Sequence, residues 1–330
     1  MKKISFCGSS NFIYSRNQTC KVNILAFNKL FQKYLNFQIG EQLIISVLGN
    51  VAVMAVICLD QNLRTPKYVA VFNLAFVDLL GSCALIPKVL DIFLFNHYYV
   101  PYNDCLTFLF FCYTCLSMQA LNLVALCYDR LMAIMFPLHY HVKVTHKIMF
   151  SMITFFWLFV ITCTLIAVGL LTRLSFCGSV VINSYFCDHG LMFELACNDN
   201  FPSIIISFLS PILILWLPMV FILSSYICIA FALFKVAVVK ERVKALKTCT
   251  ETCTSHLILV AIFFLPFMGT TITVLTSYIH PNARIINSSL TFTVPPLLNP
   301  TIYSLKTEEV KDAIKKLLNA PFFRYNFMLW

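Results

Sequence analysis

A carboxylate and two amides interrupt long apolar stretches of the chain: Asp78, Asn50 and Asn299, the last followed by Pro300. An ionisable or strongly polar group is expensive to bury without a partner. One interpretation is that these side chains join helices by hydrogen bonds worth about 0.6–2 kcal/mol each. The other is a polar hub, with Asn50 and Asp78 in it, whose partners exchange between two packings. The two interpretations are compatible.

An adjacent acid and base, Asp129 and Arg130, stand where another apolar stretch meets a basic segment. Alone, such a pair is usually an ion pair at the boundary of an apolar span. The pair becomes stronger evidence for a functional site because Asn299-Pro300 is followed by Tyr303. The chain also carries several long apolar stretches, and some of its cysteines lie in polar segments.

Four cysteines lie in or next to polar segments: Cys105, Cys177, Cys187 and Cys197. In an oxidising compartment four thiols form two disulfides in one of three pairings, and spacing does not choose between them. The alternatives are free thiols or a metal site built from Cys187, His189 and Cys197.

Signatures of catalysis are missing from the sequence. Cys112 and Cys115 have the spacing of a redox or zinc pair, but residues three apart within an apolar helix usually pack. The chain carries neither a nucleophile elbow, nor a phosphate-binding glycine loop, nor a metalloprotease motif. We therefore expect no enzymatic activity, no cofactor and no resident metal.

The composition places these residues in a membrane. The 330 residues are 60% hydrophobic, 15% aromatic and 12% charged, and the mean hydropathy is +0.83. A soluble domain is about 45–50% apolar and about 25% charged. The apolar stretches are far longer than the roughly 11 residues of a barrel strand. We expect membrane lipids as partners and, despite a net charge of +10, no nucleic acid.

Seven apolar stretches approach the roughly 20 residues that a bilayer-spanning helix needs. They predict an all-α, seven-transmembrane helix bundle over residues 38–305, preceded by a segment of residues 1–37 and followed by a tail of residues 306–330. The predicted spans are Gln38–Leu59, Tyr68–Phe93, Tyr102–Ile134, Ile148–Leu171, Ile204–Phe234, Cys253–Tyr278 and Ile285–Leu305.

The basic residues predict an orientation, because cytoplasmic segments retain Lys and Arg. One set of loops and the tail carry fifteen of them, whereas the opposite loops carry only Lys88, Arg173 and Arg284. The carboxyl terminus is thus expected in the cytoplasm and the amino terminus outside the cell, although residues 1–37 hold six further basic groups. Asn17 begins an Asn-Gln-Thr triplet and is the predicted glycosylation site.

These motifs, in this order, resemble rhodopsin-like (class A) G-protein-coupled receptors and, more narrowly, olfactory (odorant) receptors. The resemblance covers residues 49 to about 315. It rests on Leu63-Arg64-Thr65-Pro66-Lys67-Tyr68, Leu126-Cys127-Tyr128-Asp129-Arg130, Ser225-Tyr226, Thr254-Ser255-His256-Leu257 and Pro296-Leu297-Leu298-Asn299-Pro300 with Tyr303.

The resemblance implies the disulfides Cys105–Cys187 and Cys177–Cys197 and a location in the plasma membrane. It also implies a heterotrimeric G protein, of the stimulatory olfactory type that raises cyclic AMP, as the partner. The residues implied in coupling and switching are Asp129, Arg130, Tyr226, Asn299, Pro300 and Tyr303.

The chain departs from the family pattern at three places. Leu131 replaces a tyrosine, and residues 248–253 form a small insertion. Gln119 stands where these receptors usually have a glutamate, which weakens the expectation of a sodium ion beside Asp78.

A cavity between the outer halves of the helices is the expected ligand site. None of its predicted lining residues is acidic or basic, which favours a small, largely apolar odorant. Two alternatives remain: a class A receptor for a lipid or peptide, and a small-molecule transporter, which the lack of repeated halves disfavours. The predicted lining residues are Cys112, Tyr113, Leu116, Phe208, Ser210, Phe264, Met268, Thr271 and Phe292.

Overall fold

The structure is a computed structural model of the whole chain. It describes residues 19–22, 29–94, 99–176, 181–182, 189–193, 195–235, 253–269, 281–306 and 308–318. The predicted sites Asn17, Cys177, Cys187 and Thr271 lie outside these residues.

Eight principal helices follow one another along the described chain. The first four are α1 (Lys29–Leu59), α2 (Pro66–Leu94), α3 (Tyr102–Met135) and α4 (His146–Leu171). The fifth, α5, has three parts: Phe201–Pro211, a π-helical turn Ile212–Trp216 and Leu217–Lys235. Then come α6 (Cys253–Gly269), α7 (Pro281–Lys306) and the short α8 (Glu308–Leu318).

The described helix limits follow the predicted spans closely, because lipid requires every backbone polar group to be paired within the helix. Residues 270–278, the end of the predicted sixth span, lie outside the described residues. Helix α1 differs most, since it begins at Lys29, nine residues before the predicted span. Within the described residues, four helices are long and apolar enough to cross a bilayer: α2, α3, α4 and α5. Two shorter apolar stretches, Ile44–Leu59 and Cys253–Gly269, lie in α1 and α6.

Prolines remove backbone hydrogen bonds from two helices. The π-helical turn of α5 lies between Pro211 and Pro218, and each proline removes a backbone donor from the helix. Helix α7 contains Pro295, Pro296 and Pro300, so its freed carbonyl groups need donors from neighbouring helices.

Helix α3 forms the centre of the bundle. One of its faces is lined, at alternating intervals of three and four residues, by Cys105, Leu109, Cys112, Leu116, Gln119, Leu123, Leu126 and Arg130; all except the half-buried Arg130 are buried. This is the spacing of a single helix face. We call the two ends of the bundle the Cys105 end and the Arg130 end.

A series of side-chain hydrogen bonds joins α2, α3 and α4 beside this face. Trp157 Nε1 donates to Asn73 Oδ1 at 3.0 Å, and Asn73 Nδ2 donates to Asn122 Oδ1 at 2.9 Å. Because each bond joins different helices, the series holds the three helices in one register.

A small sheet lies at the Cys105 end, in addition to the predicted helices. Strand β1 (Thr19–Val22) is central, antiparallel to β2 (Tyr99–Pro101) and parallel to β3 (Val181–Ile182). Hydropathy did not predict it, because strands of two to four residues carry no periodic signal. The sheet joins the amino-terminal segment to two loops between helices.

Candidate functional site

Asp129 is buried at the Arg130 end and has a closer partner than the adjacent arginine. Tyr140, from the short helix Tyr140–Lys143, donates its hydroxyl to Asp129 Oδ1 at 2.6 Å. Arg130 Nε lies 3.9 Å from Asp129 Oδ2, the far limit of an ion pair. Burial and donation to the Asp129 carboxylate raise the pKa of Tyr140, so the phenol keeps its proton. The Arg130 guanidinium is therefore only loosely held by its neighbour.

His256 connects three helices at the level of Leu123, two turns of α3 before Arg130. Its Nε2 lies 2.9 Å from the backbone oxygen of Leu123 in α3, and its Nδ1 lies 2.7 Å from the Tyr226 hydroxyl in α5. A carbonyl oxygen only accepts, so Nε2 carries the hydrogen. In the neutral ring Nδ1 is then the acceptor and Tyr226 donates. The two rings lie nearly parallel, with centroids 5.8 Å apart. His256 thus ties α6 to both α3 and α5.

A small cavity of about 40 Å³ opens at this end of the bundle. A helix is about 10 Å across, so the cavity is far too small to accept one. The buried Tyr303 hydroxyl lines the cavity and finds no hydrogen-bond partner among the described residues. The cavity is lined by Lys67, Tyr68, Val71, Leu126, Arg130, Ser255, His256, Leu259 and Tyr303.

Helix α8 is attached beside this cavity by a shared carboxylate. Lys67 Nζ and the Tyr68 hydroxyl both donate to Glu309 Oε2. Burial alone would raise the pKa of Glu309, but the two donors outweigh it and the pKa lies below its ordinary value. Val310 and Ala313, which lie next to Glu309 on α8, are buried in the main core. The last helix is therefore positioned by both a polar and an apolar contact.

Asp78 has two amide partners from different helices. Gln119 Nε2 in α3 donates to Asp78 Oδ1 at 2.6 Å, and Asn299 Nδ2 in α7 donates to Oδ2 at 2.7 Å. All three side chains are buried. A polar hub around Asp78 therefore joins α2, α3 and α7.

Asn50 belongs to a separate group rather than to the Asp78 hub. Its Nδ2 donates to the backbone oxygen of Pro296 at 3.0 Å, and Ser46 Oγ donates to the same oxygen at 3.1 Å. Pro300 has no N–H, so the carbonyl four residues before it, that of Pro296, lacks its helical donor. Gly49 permits the approach, since a Cβ there would lie 3.0 Å from Pro300 Cβ. Asn50 therefore compensates for a proline in α7.

Most of the predicted ligand residues are buried or half-buried between helices. Cys112 is 1% exposed, and Leu116, Phe264, Met268 and Phe292 all belong to or pack against one core cluster. None of these five side chains is acidic or basic.

The other predicted ligand residues are placed differently. Tyr113 packs against a second cluster at the Cys105 end, and Ser210 is half-buried. Phe208 is 64% exposed and does not join the buried group. It lies on the outward side of α5, where a spanning helix would contact lipid.

The cysteines of the Cys105 end are partly described. Cys105 and Cys197 are each disulfide-bonded, and their predicted partners Cys187 and Cys177 lie outside the described residues, so the pairing stays a prediction. The segment carrying Cys197 is held by Asn198, whose side chain accepts from Ser175 N and donates to Arg173 O. Among the described residues, no group of three or more His, Cys, Asp or Glu side chains could hold a metal ion.

Three residues of the Arg130 end were not predicted as site residues: His256, Tyr140 and Glu309. Each has a signal in the sequence. A histidine within an apolar helix needs two partners, a tyrosine close after Asp129-Arg130 can reach back to the acid, and Val310, Ala313 and Ile314 have the spacing of an amphipathic helix.

The fold is that of a seven-helix membrane bundle of the rhodopsin type. The crystal structure of squid rhodopsin superposes with a TM-score of 0.71 at 18% identity, covering 95% of this chain and 93% of that one. This likeness shows the fold and confirms the predicted bundle.

Sequence relatives define the family more closely. The olfactory receptor family model matches residues 41–320. Olfactory receptor 1E1 of Pan troglodytes is 34% identical over 280 residues, covering 83% of this chain and 86% of the relative. Olfactory receptor-like protein I9 of Rattus norvegicus is 35% identical, and the shares covered are 83% and 85%. The chain belongs to the olfactory receptor family, whose members are signalling receptors and not enzymes.

Proposed function

We propose that the chain is an odorant receptor of the plasma membrane that binds a small, largely apolar odorant near the Cys105 end. It then activates a heterotrimeric G protein of the stimulatory type at the Arg130 end, raising cyclic AMP. The amino terminus is outside the cell and the carboxyl terminus is in the cytoplasm. The family membership supports the receptor class.

The proposed odorant site consists of Cys112, Leu116, Phe264, Met268 and Phe292. These side chains offer aromatic faces and sulfur atoms, and their burial favours a ligand that is held by shape and dispersion. A charged amine would need a buried counter-ion, and none of the five side chains supplies one.

The central face of α3 supports a route between the two ends. Leu116 of the proposed odorant site is one turn from Gln119, which holds Asp78, and two turns from Leu123, whose carbonyl holds His256. Movement of α6 away from α3 must break the His256–Leu123 bond. The ligand would act by binding one packing better than the other.

The observation that carries the coupling proposal is the small cavity beside Arg130, closed on the α6 side by His256. It is far too small to take a helix, so a partner helix requires α6 to move outward. Such a movement would free Tyr226 from His256 and widen the space around Arg130 and Tyr303. We therefore propose the present packing as the uncoupled state.

The test is a cyclic AMP reporter in cells that express the chain, exposed to a broad panel of volatile and water-soluble odorants. At least one largely apolar compound should raise cyclic AMP, and cells without the receptor should not respond. For that compound, Met268→Ala should lower potency about 10-fold or more, since it removes three apolar heavy atoms from contact with the ligand and each buried CH₂ is worth about 0.8 kcal/mol. Phe208→Ala is the matched control and should leave potency unchanged, because Phe208 is exposed. Equal effects of the two variants would refute the proposed site.

A further inference from the structure

Asp78 is a fully buried carboxylate whose hydrogen-bond partners among the described residues are both side-chain amides. Gln119 and Asn299 each donate one amide hydrogen to a different oxygen, at 2.6 and 2.7 Å. The ion pairs found among the described residues join Lys67 to Glu309, Arg130 to Asp129 and Lys315 to Asp312, so none of them reaches Asp78.

The helix that supplies Gln119 lies unusually close to the helix that supplies Asp78. A Cβ on Gly81, one turn after Asp78, would lie 3.3 Å from Cys115 Cβ, one turn before Gln119. This close approach lets the Gln119 amide touch the carboxylate directly. An ion between the two groups would have to displace the Gln119 amide from Asp78 Oδ1.

The chemistry of the donor set also disfavours a cation at this place. Hard cations take oxygen ligands, and an amide could offer its carbonyl oxygen, but here Gln119 and Asn299 both turn N–H groups towards Asp78. A glutamate at position 119, which the family resemblance leads one to expect, would instead face Asp78 with a second carboxylate. Two such groups cannot both ionise in contact without a cation or a proton between them. The glutamine removes that requirement.

We infer that Gln119 takes the place of a cation beside Asp78, so that this receptor's packing is independent of sodium. The Gln119 amide N–H presents a partial positive charge to Asp78 Oδ1. A bound cation would present a full positive charge at the same place. The residues present do not fit a sodium ion, because amide N–H groups face both oxygens of Asp78. The glutamine at position 119, in place of the glutamate that the family resemblance leads one to expect, supplies one of these two groups.

The experiment compares the unfolding temperature of the purified receptor in lipid nanodiscs, in sodium chloride and in choline chloride at the same ionic strength. The wild type should unfold at the same temperature in both. Gln119→Glu should gain a saturable rise of a few degrees in sodium, since a ligand that binds only the folded state stabilises it. Gln119→Ser, which removes the amide and opens space without a second charge, should gain a sodium response too.

A saturable stabilisation of the wild type by sodium would overturn the inference. So would the absence of a sodium response in both variants. The readout needs neither an odorant nor a G protein, so its failure is distinguishable from a failure of the proposed function. The control variant is Ser117→Ala, two residues before Gln119 on α3, which removes a hydrogen bond from the Ser117 hydroxyl to the Tyr113 carbonyl. It should behave as the wild type.

Discussion

Replacing Asn50 by leucine tests whether this side chain supplies the hydrogen bond that the Pro296 carbonyl in α7 lacks because Pro300 has no N–H. Leucine keeps the branched shape and the number of heavy atoms but removes the donor that lies 3.0 Å from the Pro296 carbonyl. A carbonyl left without any partner costs about 1–3 kcal/mol, and interhelical bonds in membranes average about 0.6 kcal/mol. Ser46 still donates to the same oxygen. We therefore expect a loss of about 0.5–2 kcal/mol, seen as an unfolding temperature lower by a few degrees.

The decisive comparison repeats the substitution in a Pro300→Ala background. Alanine restores a backbone N–H at position 300, which can donate to the Pro296 carbonyl within the helix. The cost of Asn50→Leu should then fall to less than about half of its value in the wild type, a coupling expected of residues that share one partner. Scanning fluorimetry of the four purified receptors measures both differences.

A control variant separates this coupling from a general weakening of α7. Thr291→Val removes a bond from the Thr291 hydroxyl to the Asn287 carbonyl, two turns away from Pro300. Its cost should be the same in both backgrounds. Equal costs of Asn50→Leu in the two backgrounds would show that Asn50 does not compensate for the proline.

Further predictions concern the hydrogen bonds and the ion pair at the Arg130 end and the disulfide at the Cys105 end. His256→Phe keeps a ring but loses both hydrogen bonds, so basal cyclic AMP should rise several-fold at equal surface expression, and an unchanged basal signal would exclude His256 as a tie that opposes opening. Glu309→Gln should cost at most about 1 kcal/mol at neutral pH, because half-exposed ion pairs are weak. Since the pKa of Glu309 is lowered, the wild type holds this advantage above the ordinary value of 4.5 and loses it as pH falls through the folded-state pKa; unfolding temperatures of the two proteins should converge in acid, and a constant difference would contradict the pairing. Cys105→Ser and Cys187→Ser should each retain the receptor inside the cell, as flow cytometry of an amino-terminal tag would show, whereas normal surface display of both would refute their pairing.

Hydropathy was sufficient to predict the long apolar helices, but not α8, which lies in the predicted tail. Helices α2 to α5 begin and end within three residues of their predicted spans, because the bilayer requires uninterrupted backbone pairing over a set length. The early start of α1 at Lys29 was not predictable in the same way, since a helix can continue beyond the bilayer with polar residues.

The partners of polar residues were harder to predict than their importance. Asp78, Asn50 and Asn299 were identified as costly in an apolar stretch, but the sequence does not show that Asn50 meets a carbonyl freed by Pro300 while Asn299 meets Asp78. Those pairings depend on how far α1 and α7 approach, which Gly49 sets through its contact with Pro300. Pairing is a property of the assembled bundle, and periodicity along one helix contains no information about it.

The predicted ligand residues also show what periodicity along one helix can and cannot predict. Helical spacing placed Cys112 and Leu116 on the inner face of α3, and both are buried there. On α5 the spacing is unreliable because the π-helical turn adds a residue to one turn and rotates the first part of the helix relative to the last part. Phe208 lies before that turn and is exposed.

Nucleotide exchange on a purified stimulatory G protein, driven by the purified receptor in nanodiscs, tests the central claim most directly. An odorant found in the reporter screen should accelerate exchange with the wild type and with Arg173→Ala, a control at the Cys105 end. With Arg130→Ala the same odorant should still bind, and exchange should stay at its basal rate. Odorant-driven exchange that survives Arg130→Ala unchanged would contradict the account.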